Sequence, residues 1–439
     1  MPRLILGSAH DPSTEVIMEN GGATMRRSVL PGGIRVLTEH MPGSRSAAFG
    51  AWVAVGSRDE TDGHHGSTHF LEHLLFKGTP QRNAMEIASA FDAVGGESNA
   101  ATSKEYTVYY ARVLDNDLPM AIDVIIDMVT SSVLEGGEFE AERGVILEEL
   151  AMSFDDPIDV AHEQFATSIF GPHPLGRPIG GTPETIRAIP RDAVAEHYAQ
   201  NYRSDELVIT AAGNVDHDAV CARVLEAIRA GGWDTDSGAM PVPRRSPDTA
   251  SANLIPTGGS EERLIRPTEQ ANILLGGPGI TSQDERRYDL SVLSAILGGS
   301  MSSRLFQEIR EKRGLAYSVF SFASGFTDAG MFGMYAGCTP GKVEEVVGLL
   351  ETELEKIATD AVDSDELARG IGQVAGGLVL GMEDSGSRMS WLGRAELALG
   401  EVLSLDEQLL RIQSVTAEQV RQMAADLYQQ PRHLVVVGP

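Results

Sequence analysis

The chain has 439 residues, 42% of them hydrophobic and 22% charged, and a formal net charge of −28. This length exceeds what one hydrophobic core usually serves, so two large domains are expected. The acidic balance argues against nucleic-acid binding, which needs a basic surface. No apolar run approaches the length of a membrane span, and the N-terminus lacks the sustained apolar segment of a secretory signal. We therefore expect a cytoplasmic protein with neither a nucleic-acid nor a membrane partner.

Regular hydrophobic pattern begins near residue 26, and residues 1–25 are interpreted as an N-terminal extension. The first informative element is Gly66–Pro80, with the sequence GSTHFLEHLLFKGTP. A glycine followed by a proline is typical of the end of a helix. The segment therefore predicts a short helix that ends at Gly78 and Pro80.

Three polar side chains of this helix are predicted to share one face. With 100° per residue and His69 at 0°, His73 falls at about 40° and Glu72 at about −60°. The leucines of the helix fall on the opposite side, where they can pack on a sheet. Histidines four residues apart can bind one metal ion, and neutral imidazole suits zinc. A catalytic zinc site normally needs a third protein ligand.

The next elements supply candidates for that third ligand. A strand is predicted over Tyr106–Val113, followed by an apolar helix, and then an acidic helix over Phe139–Leu150. Glu142 and Glu149 are seven residues apart, so they lie on one face of this helix, two turns apart. Glu148 lies about 100° away from Glu149 and points elsewhere. The helical geometry alone leaves open which glutamate binds the metal.

The second half of the chain resembles the first. Glycine, proline, serine and threonine are frequent over Asp234–Gly259, which predicts a linker. Before it, Ile189–Gly213 reads as an amphipathic helix, a turn with tyrosine and a buried strand ending in glycine, and Ser414–Gly438 repeats that pattern. A strand over Gly330–Cys338 followed by a helix matches the strand and helix of the first half. The sequence predicts an α+β fold of two homologous α/β domains, with sheets layered by helices.

Four segments together resemble the insulinase/pitrilysin family of zinc metallopeptidases, whose signature is an inverted HxxEH motif: HFLEH, LLFKGT, VGGESNAATSKEYTVYY and ERGVILEE. The nearest resemblance is to bacterial relatives of the beta subunit of the mitochondrial processing peptidase. It implies the LuxS/MPP-like metallopeptidase fold, with mostly antiparallel sheets, and one Zn²⁺ per chain. It also implies His69, His73 and Glu149 as zinc ligands, Glu72 as general base and Glu142 as a supporting catalytic residue.

The resemblance divides the chain into a zinc-binding catalytic domain over 26–233, a linker over 234–262 and a homologous domain over 263–439. No histidine occurs between His217 and His433. The second domain therefore lacks the residues for the same site and is predicted to be non-catalytic.

The resemblance also implies substrate-binding residues in both halves. In the first half, GGESNAATS matches an edge strand that holds extended peptide, which assigns Asn99 and Ala100 to substrate binding. In the second half, Arg310 and Tyr317 match an arginine and a tyrosine that contact substrate near the scissile bond.

The predicted function is a zinc endopeptidase that hydrolyses peptides or unfolded segments inside a chamber formed by two chains. Short members of the family pair in this way, so a homodimer with active sites completed in trans is expected. Two alternatives are a catalytically silent assembly subunit and a peptide-binding protein that does not cleave. The complete set of HxxEH and Glu149 favours the enzyme.

Overall fold

The computed structural model describes residues 3–6, 16–20, 22–236, 238–248 and 252–439. Part of the predicted N-terminal extension (1–2, 7–15 and 21) and part of the predicted linker (237 and 249–251) lie outside the described residues. None of the helices in the described ranges is long and apolar enough to cross a membrane.

The chain forms two compact units whose segments alternate along the sequence. The first unit comprises Met1–Leu150, Pro178–Arg245 and Leu380–Glu407, and the second comprises Ala151–Arg177, Ser246–Val379 and Gln408–Pro439. The sequence predicts a first domain over 26–233, a linker over 234–262 and a second domain over 263–439. These continuous ranges do not include the alternation of segments between the two units, and the division into them remains a prediction.

The first unit contains most of the helices of the N-terminal half. Its strands are β1 Arg3–Ile5, β2 Val16–Asn20, β3 Ala23–Leu30, β4 Ile34–His40, β5 Ser46–Val53, β6 Glu97–Thr102, β7 Thr107–Leu114, β8 Leu207–Gly213 and β13 Glu401–Leu403. Its helices are α1 Ser67–Leu74, α2 Ala84–Asp92, α3 Leu118–Ser131, α4 Gly136–Asp155 (up to Leu150), α6 Pro183–Ala188, α7 Arg191–Asn201, α8 His217–Ala230 and α12 Ser385–Arg394.

Within the described residues, the main sheet of this unit has the strand order β2-β3-β4-β8-β5-β7-β6. The neighbouring strands are antiparallel except β4 and β8, which are parallel. Strands β2 and β3 pair from Val16 to Arg27, so the sheet begins before residue 26. Strand β6 forms one edge of the sheet, which matters for the site below.

Both faces of the first sheet are covered by apolar side chains. Successive residues of a strand point to opposite faces, so Phe49 faces one core and Trp52 the other. The first core is built with α1, α2, α3, α4, α7 and α8. The second core is built with α12, through Met389 and Leu392.

Buried ion pairs attach the segment 380–407 to the first sheet. Arg388 Nη1 donates to Glu39 Oε1 over 2.7 Å, and Arg27 makes two hydrogen bonds of 2.9 Å to the carboxylate of Glu396. Arg244 donates to the same carboxylate over 2.9 Å. Buried charges are tolerated when they are paired and hydrogen-bonded, which makes these contacts specific for one arrangement of the segment.

The second unit repeats this plan with fewer strands. Its strands are β9 Ser260–Ile265, β10 Ala271–Pro278, β11 Ala316–Gly325, β12 Gly330–Cys338 and β14 His433–Gly438. Its helices are α5 Pro157–Phe170, α9 Arg287–Gly298, α10 Val343–Thr359, α11 Ser364–Gly381 (up to Val379), α13 Leu405–Gln413 (from Gln408) and α14 Ala417–Tyr428. One face of the sheet packs on α9, α10 and α14, and the other packs on α5.

The two sheets share a topology. The second sheet has the order β9-β14-β10-β12-β11, and the last five strands of the first have the order β4-β8-β5-β7-β6. In the second sheet β14 is parallel to β9 and antiparallel to β10. In the first sheet β8 is likewise parallel to β4 and antiparallel to β5. The prediction of two homologous α/β domains with mostly antiparallel sheets is therefore confirmed.

Candidate metal centre

Helix α1 starts after a left-handed glycine, and the short 3₁₀ turn that continues it ends at Gly78, where the sequence predicts the end of the helical segment. Gly66 has φ 95° at the N-cap, and Gly78 has φ 140° just after the final turn. The carboxylate of Glu60 accepts hydrogen bonds from the backbone N–H groups of Gly66 (2.9 Å) and Thr68 (2.8 Å). A carboxylate at this end of a helix satisfies free N–H groups and complements the helix dipole. These contacts fix where the helix starts and thereby which side chains share a face.

Among the described residues, one group has the composition and spacing of a metal site: His69, His73 and Glu149. Glu149 Oε2 lies 3.7 Å from His69 Nε2 and 3.4 Å from His73 Nε2. Zinc bonds of about 2.0–2.2 Å in a tetrahedron place two ligand atoms about 3.4 Å apart. The donor set of two imidazoles and one carboxylate therefore fits a zinc ion in both chemistry and spacing.

The protonation of His69 suits metal binding. Burial lowers the pKa of its imidazole, and the neighbouring His73 lowers that pKa further. A histidine must be neutral to bind a metal ion. Its Nδ1 is buried and has no hydrogen-bond partner among the described residues. Gly180 lies beside the ring of His69. A Cβ at position 180 would be in van der Waals contact with this ring, 3.5 Å from Nδ1.

The second imidazole is held by a buried carboxylate. His73 Nδ1 lies 3.0 Å from Glu142 Oε2, and Lys77 Nζ lies 2.6 Å from Glu142 Oε1. A carboxylate on one ring nitrogen fixes the tautomer and the orientation of a metal-binding histidine. The family resemblance implied the supporting role of Glu142, whereas Lys77 was not predicted. The signal for Lys77 was its position four residues after His73, on the same helical face.

Glu72 is half-buried beside the two histidines. Thr102 Oγ1 donates a hydrogen bond of 2.5 Å to Glu72 Oε2. Thr102 lies in a segment that carries the family resemblance, but it was not among the predicted site residues. Its contact with Glu72 joins positions 30 apart in sequence, which no local pattern indicates.

Asn99 and Ala100 lie in β6, at the edge of the first sheet. Within the described residues β6 pairs with β7 alone. Asn99 is exposed, and its Oδ1 accepts a hydrogen bond of 2.8 Å from the backbone N–H of Ala100. A strand edge offers main-chain groups to an added strand, so this edge is chemically suited to an extended peptide.

Arg310 and Tyr317 contact each other in the second unit. Arg310 Nη1 donates a hydrogen bond of 2.8 Å to the carbonyl of Tyr317, and its guanidinium carbon lies 4.4 Å from the centre of the Tyr317 ring. The same carbon lies 4.6 Å from the centre of the Phe306 ring, and Arg310 Nε lies 3.8 Å from Glu311 Oε1. The Tyr317 side chain is exposed, so the pair is accessible on the surface of this unit.

The fold and this site define a class of protein, and comparisons with known proteins agree. Residues 35–183 match the family model described as insulinase (peptidase family M16), and residues 188–374 match the model described as the peptidase M16 inactive domain. The chain belongs to the insulinase family of peptidases, family M16. The predicted family is therefore confirmed.

Three relatives are similar over nearly the whole chain, and each is described as an uncharacterized zinc protease. The protein from Streptomyces coelicolor is 50% identical over 421 residues, 96% of this chain and 91% of that protein. The protein from Mycobacterium tuberculosis H37Rv is 44% identical over 416 residues (94% and 93%). The protein from Bacillus subtilis is 38% identical over 417 residues (94% and 98%).

Two solved structures share the fold. A protease from Helicobacter pylori superposes with a TM-score of 0.84 at 21% identity, over 94% of this chain and 99% of that chain. A structure from Pseudomonas fluorescens, described as a peptidase M16 inactive domain, gives a TM-score of 0.82 at 19% identity, over 94% and 98%. The names of the relatives support a metallopeptidase with zinc as its cofactor and peptides as its substrates.

Proposed function

We propose that this protein is a zinc-dependent endopeptidase that hydrolyses peptides or unfolded segments. The supporting observation is the convergence of His69, His73 and Glu149, with Glu72 on the same face of α1 but outside the ligand set. Three protein ligands and an open fourth position are typical of catalytic zinc, whereas structural zinc usually has four protein ligands.

The residues around the metal position have distinct roles in this proposal. A bound zinc ion polarises a carbonyl and lowers the pKa of water. Glu72 accepts the proton of the attacking water and delivers it to the leaving amine. Glu142 holds the ring of His73 in place through Nδ1, and Lys77 balances the charge of that buried carboxylate.

In this proposal the substrate is an extended peptide that adds to the edge of the first sheet. In the part of the chain that the structure describes, one edge of β6 has no neighbouring strand, and the last residue of β6 contacts Glu72. Pairing through main-chain groups accepts many sequences, which suits a peptidase of broad substrate range. Asn99 and Ala100 are the proposed contacts on this strand.

The proposal includes assembly and location. Two copies form a homodimer that encloses the substrate in a chamber, with one zinc per chain. Arg310 and Tyr317 of one copy bind substrate at the metal centre of the other, and the second domain of each chain is non-catalytic. The match of residues 188–374 to a model described as an inactive domain supports that last point. A cytoplasmic location completes the proposal.

The test is zinc content together with cleavage of a diverse peptide library by the purified protein. We expect one zinc per chain, hydrolysis that stops with a chelator, and recovery when zinc is restored. Glu149→Gln replaces a ligand carboxylate with a neutral amide, and we expect zinc affinity to fall by at least about 10- to 100-fold, the loss that follows even from removing a residue that only orients a ligand. Metal content is measured by elemental analysis and cleavage by mass spectrometry.

A neighbouring glutamate provides the matched control. Glu148 is exposed on the same helix and does not belong to the metal-binding group, so Glu148→Gln should keep both zinc and activity. Hydrolysis that survives complete removal of metal would refute the proposal. Stoichiometric zinc without cleavage of any library peptide would instead favour a peptide-binding protein or a silent assembly subunit.

A further inference from the structure

We infer that Thr102 is a positioning residue for Glu72, fixing the general base at the place where a peptide paired on β6 arrives. This inference rests on the proposed peptidase function. It concerns a side chain outside the metal-binding group and assigns the end of an edge strand a part in the reaction.

The first observation is the contact itself. Thr102 Oγ1 donates to Glu72 Oε2, and among the described residues it is the hydrogen-bond donor to that carboxylate. Glu72 lies on α1, and Thr102 is the last residue of β6. A glutamate has three rotatable side-chain bonds, so one fixed oxygen removes most of the positions that the other oxygen could adopt. The hydrogen bond therefore leaves Oε1 in a defined place for proton transfer.

The second observation is that, among the described residues, no other side chain donates a hydrogen bond to Glu72. Burial is the main cause that raises the pKa of the Tyr109 and Tyr202 phenols. The charge of Glu72 raises both pKa values further, which shows that the two hydroxyl groups lie near this carboxylate. These two hydroxyl groups lie 3.0 Å apart and are hydrogen-bonded to each other. Neither hydroxyl group is hydrogen-bonded to Glu72 within the described residues, so the donor that orients this carboxylate is Thr102.

The third observation is the direction of the main chain in β6. In an antiparallel pair, residues that exchange hydrogen bonds with the neighbour alternate with residues whose N–H and C=O point away. Ser103 N–H donates to Tyr106 O, so by alternation Ala101 and Asn99 face β7, and Ala100 and Thr102 face the open edge. The hydrogen bond from Ala100 N–H to the Asn99 side chain agrees with this assignment.

Thr102 therefore has two roles at one position. Its main chain faces the open edge, where an added peptide strand would pair, and its side chain contacts the catalytic carboxylate. A peptide bound along β6 thus meets Glu72 at the end of the strand. There the main chain of Thr102 pairs with the peptide, and its hydroxyl group orients Glu72. Catalytic groups need positions defined within about 0.5 Å, and such positions come from neighbours locked by packing and hydrogen bonds.

The test compares two substitutions that each remove one part of the threonine. Thr102→Val keeps the branched shape and removes the hydroxyl group, and Thr102→Ser keeps the hydroxyl group and removes the methyl group. We expect Thr102→Val to lower kcat by about 10- to 100-fold, a part of what general acid–base catalysis contributes. KM should stay within about twofold, zinc content should be unchanged, and Thr102→Ser should retain most of kcat.

A second measurement separates the action on Glu72 from a contact with substrate. Peptide affinity is measured in the Glu72→Gln background, with and without Thr102→Val. Equal affinities are expected, because the hydroxyl group acts on the base and not on the peptide. If Thr102→Val fails to fold, Thr102→Ala against Thr102→Ser gives the same comparison.

The outcomes distinguish this inference from the proposed function. A wild-type protein that cleaves no peptide overturns the proposed function and this inference with it. An active wild type overturns the inference alone under any of three results: Thr102→Val keeps full kcat, Thr102→Ser is as impaired as Thr102→Val, or Thr102→Val weakens peptide binding in the Glu72→Gln background.

Discussion

The helices that follow the corresponding strands β5 and β10 are where the two units differ most. After β5, α1 presents two histidines and a glutamate on one face and packs its leucines on the sheet. After β10, α9 has no histidine, and its buried side chains are mainly leucine, isoleucine and valine. Similarly, α4 carries Glu142 and Glu149, whereas α11 has no acidic residue after Glu366. The same scaffold therefore holds a metal centre in one unit and none of its ligands in the other, so the chemistry depends on a few side chains and not on the fold.

The largest expected effect comes from replacing Glu72, which shares a face of α1 with His69 and His73 but is not a ligand. Glu72→Gln removes the proton acceptor, and we expect turnover to fall by at least about 10²- to 10⁴-fold, the usual contribution of general acid–base catalysis. Zinc should stay bound at one per chain, because His69, His73 and Glu149 are untouched. Elemental analysis and peptide cleavage on the same sample measure both. Loss of zinc in this variant would show that Glu72 belongs to the ligand set.

A second prediction tests what the other unit contributes. Tyr317→Phe removes a hydroxyl group from an exposed side chain far in sequence from the metal ligands, so zinc content should be unchanged while activity falls. If sites are completed in trans, mixing Glu72→Gln chains with Tyr317→Phe chains should restore up to about a quarter of the wild-type activity, by random pairing of chains in a symmetric dimer. Activity of the mixture that equals the sum of the separate variants would exclude sharing between chains.

A third prediction concerns how each sheet holds its outer helix. In the first unit, Arg388→Met leaves the buried carboxylate of Glu39 without its cation, which costs about 3–5 kcal/mol. In the second unit, α5 packs through apolar contacts, and Phe165→Ala should cost a similar amount, about 3–5 kcal/mol, through a cavity. Denaturant unfolding followed by local probes compares the two. The exposed ion pair of Lys342 with Glu345 provides the control, because Lys342→Met should leave the free energy of unfolding nearly unchanged.

The smallest expected effect is a pH dependence in the second unit. Lys312 and Arg313 hydrogen-bond to Glu308 and lower its pKa to about 2. A lowered pKa in the folded state adds stability above the unfolded value of 4.5, and that contribution disappears as the pH falls from 4.5 towards 2. Because the side chains of Lys312 and Arg313 are exposed, solvent screens both ion pairs and keeps the effect small. The difference in Tm between wild type and Glu308→Gln should shrink between pH 7 and pH 3, and a constant difference would contradict the assignment.

Local pattern was enough to predict much of this molecule. The strands β7 and β12, the helix that carries HFLEH, and the repeat that ends in β8 and β14 all depend on periodicity or on glycine and proline signals within about 25 residues. Helix periodicity places His69 and His73 on one face of α1, and Glu142 and Glu149 on one face of α4. These features are determined by short stretches of sequence. The choice of Glu149 as third ligand came from the family resemblance, and its approach to the two histidines depends on how α4 packs against α1.

The contacts that sequence analysis missed join distant positions. The contact of Thr102 with Glu72 depends on how β6 packs against α1, and the contact of Lys77 with Glu142 depends on how α4 packs there. No single stretch of sequence encodes either contact. The membership of α5 in the second unit was also missed. Its apolar residues match a sheet whose first strand, β9, begins 90 residues after α5 ends, so only tertiary packing reveals the partner.

The interleaving of the two units has a consequence for biosynthesis. The outer face of the first sheet, which includes Trp52 and Val208, is covered by residues of the segment 380–407. At roughly 5–20 residues per second, a ribosome needs on the order of ten seconds or more to extend the nascent chain from residue 245 to residue 407. Throughout that interval the emerging first sheet lacks one of its apolar covers. The nascent first half is thus a natural client for a chaperone until the last part of its own structure has been translated.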